Sequence, residues 1–108
     1  MKNILSLLIV LFICSCTQKT SYTLKWKTAS ELRNFGYDVY RSENRKGPFT
    51  RITPAPIIGA GTSDVINEYA FTDTGLKQTK VYYYYIESIS EDGKRKRFTP
   101  IQAVSVEK

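Results

Sequence analysis

Tyr22, Leu24 and Trp26 alternate with Thr23, Lys25 and Lys27. Period-two alternation marks a half-buried strand, because successive side chains point to opposite faces. The longest stretch of this kind is Val81 to Ser90, VYYYYIESIS. It is rich in the β-branched and aromatic residues that pack well on a pleated surface. Tyr82, Tyr84, Ile86 and Ser88 share one face of it, and Tyr83, Tyr85, Glu87 and Ile89 share the other. Thr74-Gly75 breaks the chain before this strand. Asp92-Gly93 closes it with residues that tolerate the positive φ of a tight hairpin.

The remaining elements follow from the same reading. Ala29 to Gly36 reads as a loop and Phe35 to Ser42 as a strand, with Tyr37 and Val39 inward and Asp38 and Tyr40 outward. Gly47-Pro48 turns the chain into a short strand, Phe49 to Thr53, which Pro54 and Pro56 stop. Ile57 to Asp64 reads as irregular, because Gly59 and Gly61 permit sharp bends. Tyr69 and Phe71 alternate in a strand that ends near Asp73. Lys94 to Val106 returns as a hairpin partner, with Ile101 and Ala103 as apolar positions and Val104 and Val106 as further candidates. Pro100 there predicts an edge position or a bulge. About six strands at spacings of roughly ten residues, with no helical period, predict an all-β sandwich. Trp26 is the only tryptophan, and the pattern predicts it as a core plug between two sheets.

The first residues read as an address. Met1-Lys2-Asn3 is a short basic head, and Ile4 to Ile13 is an apolar run interrupted by Ser6. A membrane-spanning helix needs ~20 residues, so the run fits a secretory signal. Ile13-Cys14-Ser15-Cys16 resembles a bacterial lipobox, with Cys16 as the lipidated residue because small Ser15 precedes it. A secretory signal that merely contains two cysteines is the alternative, and a Cys14–Cys16 disulfide would be strained. The lipobox divides the chain into a signal peptide 1–15, a lipidated Cys and tether 16–21, and a domain 22–108. The expected protein is exported and membrane-anchored, with no free thiol. Each buried acyl CH₂ contributes ~0.8 kcal/mol, so two or three chains hold it on the bilayer. Thr17, rather than Asp, after Cys16 resembles outer-membrane or cell-surface sorting.

Charge and composition narrow the chemistry. There are 16 Lys and Arg, 10 Asp and Glu, and no His. Without His or a spare Cys, Ser/His and Cys/His nucleophiles and ordinary zinc sites are excluded. Asp64, Asp73 and Asp92 lack a calcium-loop spacing, and Gly59 and Gly61 belong to no phosphate-cradling pattern. No catalytic residue, metal or cofactor is expected. Two tentative binding elements remain. One is the basic run Lys94-Arg95-Lys96-Arg97. Four adjacent cations repel one another, so the run predicts a solvated arm without a stability role, and strand alternation, with Lys94 and Lys96 on one side and Arg95 and Arg97 on the other, keeps it from forming one continuous patch. The functional alternative is an anionic envelope polymer or lipid head groups, whereas export argues against nucleic acid. The other is an outer face carrying Tyr40, Tyr83 and Tyr85 beside Asp38 and Glu87. Tyrosine is rigid, amphipathic and enriched in binding surfaces.

LKWKTASELRNFGYDVYRS, GPFTRIT and YAFTDTGLKQTKVYYYYIESISEDG, in that order, resemble a bacterial fibronectin type III-like module. The resemblance implies an immunoglobulin-like sandwich of about six to seven strands. By that likeness Trp26 is the strand B tryptophan, and Tyr37 and Val39 are strand C core. Leu76 with Tyr82 would form the tyrosine corner, whose hydroxyl bonds the nearby backbone. Such modules serve secreted enzymes and adhesins as spacers or binding platforms and are not catalytic. Only Thr17 to Ser21 is left for strand A, which is therefore short or absent, leaving an open edge beside strand B. The expected function is an anchored interaction module for an envelope polysaccharide or protein. A structural subunit completed by another chain's strand is the alternative.

Cys16→Ala is expected to abolish both fatty-acid labelling and membrane retention. Undiminished label in the substituted protein would contradict the assignment.

Overall fold

The computed structural model describes residues 20–77 and 80–106, so the expected signal peptide, 1–15, and Cys16 lie outside the described residues. It contains eight strands: β1 (Thr20–Thr28), β2 (Glu31–Ser42), β3 (Thr50–Arg51), β4 (Ile57–Ser63), β5 (Asn67–Leu76), β6 (Lys80–Ser90), β7 (Arg95–Arg97) and β8 (Gln102–Val106). β1 and β5 form an antiparallel ribbon in which Leu24 faces Phe71 and Trp26 faces Tyr69. The larger sheet runs β3–β2–β6–β7, with β4 also on β2 and β8 also on β6. Thr20 pairs with Leu76 and Lys80 with Val106, which sets the start of β1 and the end of β8 at one pole. Asn34 pairs with Ser90 and Glu31 with Ser63 at the other.

The core lies between the two sheets. Leu24 and Trp26 enter from the ribbon, and Tyr37, Val39, Tyr82, Tyr84, Ile86 and Val106 enter from the larger sheet. Trp26 meets Tyr37 edge-on at 5.6 Å and stacks on Tyr69 at 5.7 Å. Tyr22 stacks on Tyr84 at 5.9 Å. Such pairs contribute about 0.5–1.5 kcal/mol each beyond the area they bury, which matters in a domain near the lower size limit for a self-sufficient core.

Buried carboxylates join the layers. Asp73 of β5 is 5% exposed and receives two bonds from Arg41 Nη1 of β2, at 2.8 and 2.9 Å. The Tyr84 hydroxyl of β6 donates to it at 2.7 Å. Burial, then the Asp73 carboxylate, pushes the Tyr84 hydroxyl up, so it stays a donor. At the other pole Glu31 accepts from Thr28 Oγ1 at 2.8 Å, Asn34 Nδ2 at 2.7 Å, the Ala60 amide at 3.1 Å and the Tyr69 hydroxyl. Burial alone would raise the Glu31 carboxyl, but these bonds, led by that of Tyr69, hold it below its ordinary value. Tyr69 is pushed up to about 12 by burial and by Glu31.

Several boundaries differ from the sequence pattern. β2 begins at Glu31, because the stretch that read as a loop pairs with β4 and β6 through Glu31, Asn34 and Gly36. Ile57 to Ser63 is a strand rather than irregular chain. It pairs with β2 through two register breaks, and Gly36 permits the approach. A Cβ at Gly36 would overlap the Ile57 carbonyl oxygen. Thr20 and Ser21 belong to β1 rather than to a tether. The return arm is two short strands, β7 and β8, on either side of Pro100. Val104 and Val106 face inward because they lie opposite Tyr82 and Lys80, while Ala103 opposes Tyr83 and is exposed. Among the described residues β1 pairs with β5 alone; any strand A lies outside them.

Leu76 is 2% exposed, and the Lys77 amide donates to the Tyr82 hydroxyl at 2.9 Å. Tyr84→Phe should cost about 1.5–3 kcal/mol, as a bond to a charged acceptor, and Tyr82→Phe about 1 kcal/mol. Tyr83→Phe should cost almost nothing. Urea titration ranks the three, and a Tyr83 cost equal to that of Tyr84 would contradict the assignment of faces.

Candidate functional site

The outer face of the larger sheet is set by pairing. Residues directly opposite in an antiparallel pair share a face. Arg51 is opposite Tyr40, Tyr40 opposite Tyr85, and Arg97 opposite Glu87. The Tyr40 and Tyr85 rings stack at 4.8 Å with 9° between planes. Phe49, from the β2–β3 turn, tilts against Tyr85 at 5.0 Å. The Arg97 guanidinium lies 4.3 Å over the Tyr85 ring, and that of Arg45 lies 5.1 Å over Tyr83. The three tyrosines expected on this face are therefore together. Their rings, however, are largely taken up by one another, Phe49 and the two arginines.

The electrostatics depart further from the sequence reading. Asp38 lies on this outer face but is 0% exposed rather than solvated. Residues 52–53 fold over it: the Ile52 amide donates to the Val39 carbonyl at 2.8 Å, and Thr53 Oγ1 donates to Asp38 at 2.6 Å. Arg95 supplies the counter-charge, 3.0 Å from Asp38 and 2.7 Å from Glu87. The Tyr40 hydroxyl also donates to Glu87, at 2.9 Å, and is pushed up by burial and then by that carboxylate. Bonds from Glu87 and then Asp38 raise the Arg95 guanidinium still further above its ordinary value.

The four basic residues are thus divided. Lys94 is exposed in the turn, where Gly93 takes φ +89° and its amide donates to the Ser90 carbonyl at 2.9 Å. Lys96 lies opposite Ser88 on the other face. Arg97 covers Tyr85. Arg95 is a structural partner, contrary to the expectation of an arm without a stability role, because a buried Asp38 requires a cation. Arg45, Phe49 and Arg51 were missed. For Phe49 and Arg51 the signal was the short strand after Gly47-Pro48, which pairs beside Tyr40; Arg45 gave none.

The opposite outer face is ordinary. Thr23, Lys25 and Lys27 of β1 and Glu68, Ala70 and Thr72 of β5 are exposed, and Thr23 bonds Thr72 at 2.9 Å. Trp26, Tyr69 and four of their neighbours line an open groove of about 510 Å³ along this ribbon. The buried Trp26 indole N–H finds no acceptor among the described residues. Among the described residues no group of three or more Cys, Asp or Glu side chains could hold a metal ion.

The chain is similar to an amylopullulanase of Thermoanaerobacter thermohydrosulfuricus, 29% identical over 87 residues. That match covers 80% of this chain and 5% of the enzyme, so the chain corresponds to a small part of that protein. No family model and no solved structure matches.

Arg95→Ser should destabilise the domain by about 1–3 kcal/mol, the cost of leaving Asp38 short of a partner, since Arg95 is partly exposed. Lys94→Ser and Lys96→Ser should be close to neutral. Thermal unfolding of the three variants checks this, and equal midpoints would remove the structural role of Arg95.

Proposed function

We propose that this chain is a non-catalytic, exported binding module: a fibronectin type III-like sandwich, anchored through lipid on Cys16, that presents the outer face of β2 and β6 to an envelope polymer or protein. The observation that carries this reading is the contrast between the two outer faces. The β1–β5 ribbon shows Thr, Lys, Glu and Ala to solvent, as a solvated sheet should. The larger sheet carries Tyr40, Tyr83, Tyr85 and Phe49 with arginines laid over them. Aromatic residues and Arg are the types enriched in interface centres, and Lys and Glu are depleted there. The similarity to a short stretch of a far larger amylopullulanase supports a module rather than a catalytic unit. Both described ends of the domain lie at one pole, so a lipid on Cys16 would leave the side and the far pole free.

A second reading is favoured by the ribbon edge. Among the described residues β1 pairs on one side only. Another chain's strand could complete that edge, making the protein a structural subunit. Lys25 and Lys27 oppose pairing between identical copies.

Capture from detergent-solubilised envelopes separates the readings. Retention of glycan that is lost in Tyr83→Ala and Tyr85→Ala supports the binding module. A stoichiometric protein partner insensitive to those substitutions, but lost when Lys25 is replaced by Pro, supports strand addition and overturns the binding face.

A further inference from the structure

Three arginines on the outer face of the larger sheet have no assigned work. Arg45, Arg51 and Arg97 are exposed. Among the described residues no carboxylate forms an ion pair with any of them. The two acids of this face, Asp38 and Glu87, are already held by Arg95. Neither forms an ion pair with the other three.

Aromatic rings position two of these arginines, Arg45 and Arg97. A guanidinium over a ring face makes no hydrogen bond with the ring, so its donor fork remains available for a planar oxyanion. Tyr85 carries Arg97 at 4.3 Å and is itself buttressed by Tyr40 and Phe49, while Tyr83 carries Arg45 at 5.1 Å. Because these rings are occupied, stacking of a neutral sugar on them is not the mode the face offers. Arg51, Tyr40 and Tyr85 occupy successive strands, with Arg97 on the next. Three strand spacings of ~4.8 Å place the outer arginine backbones ~14 Å apart, across the strands. A single small anion cannot bridge that row, whereas an extended polymer can.

We propose that Arg45 and Arg97, each laid over a tyrosine ring, and Arg51, opposite Tyr40, form a binding row for a polyanionic glycan, a saccharide chain bearing carboxylate or phosphate groups. This rests on the binding-face reading given above and adds the chemistry of the ligand. Arg51 and Arg97 lie along the side of the domain, away from the pole where the chain enters β1, which disfavours anionic lipid as their ligand; Arg45, in the β2–β3 turn, lies nearer that pole, so lipid is an arm of the test.

The test uses the full chain in neutral phosphatidylcholine vesicles, floated with labelled polygalacturonate, glycerol-phosphate teichoic acid, amylose or oligo(dT). Parent protein should carry at least one of the two acidic glycans at low salt and release it at high salt, because exposed charge is screened. The triple variant Arg45→Gln, Arg51→Gln, Arg97→Gln should bind at least about tenfold more weakly, consistent with loss of charged hydrogen bonds. Polygalacturonate against teichoic acid distinguishes carboxylate from phosphate. Near-UV circular dichroism checks the fold of the variant, and Arg45→Gln alone, which leaves the sheet untouched, is read if the triple variant fails. Equal binding of amylose and the acidic glycans, unchanged by the Arg substitutions but lost in Tyr83→Ala, would overturn the polyanion proposal and leave the binding face. Tighter binding of oligo(dT), or preference for phosphatidylglycerol vesicles over both acidic glycans, would overturn it too. Binding of none of the probes would overturn the polymer-binding reading along with it.

Discussion

A carboxylate removed from water must be paired, and removing its partner costs far more than the pair contributes. Three such groups organise this domain. Asp73 ties the β1–β5 ribbon to the larger sheet through Arg41 and Tyr84. Glu31 does the same at the opposite pole through Thr28 and Tyr69. Asp38 pins residues 52–53 and Arg95 to the outer face. Between the two inter-sheet groups lies a small core built mostly from aromatic rings. Apolar burial brings the sheets together without direction; the carboxylates fix which residues face one another.

The alternating strands were legible because one face of each meets a core. Tyr82, Tyr84 and Ile86, or Tyr37 and Val39, stand out at period two. The all-β sandwich follows from them. What was not legible depends on partners distant in sequence. Asp38 reads as solvated because nothing local shows that Thr53 and Arg95 will cover it. Arg95 reads as one of four equivalent cations for the same reason. β4 was hidden by its glycines, although Gly36 in the partner strand, rather than Gly59 or Gly61, is where backbone clearance is needed most. Local propensity marks a glycine as a bend and does not reveal the strand it will lie against.

The candidate site was half visible. Alternation puts Tyr83 and Tyr85 on one face and turns Tyr40 outward, and the pairing of β2 with β6 brings Tyr40 and Tyr85 into contact. Arg45, Phe49 and Arg51 reach that face only through the β2–β3 turn and the β2–β3 pairing. Their arrival changes what the tyrosines can do: the rings become supports for guanidinium groups instead of bare platforms. Arg95 completes the arrangement by neutralising Asp38 and Glu87, so one arginine of the basic run serves the fold and a neighbouring one remains free for a ligand. On this account stability and binding are divided between Arg95 and Arg97, two residues apart in one short strand.

The central claim is that the ring-supported arginine face, and not the loops or the ribbon, meets the ligand. Amide chemical shifts of the full chain in neutral detergent micelles, followed as oligogalacturonate or teichoic acid is added, test it most directly. The account predicts that the shifts concentrate at residues 40, 45, 49, 51, 83, 85 and 97, with little change at Lys25, Lys27 or residues 64–66. Shifts centred on β1 and β5, or on the pole formed by residues 64–66 and 91–94, would contradict it.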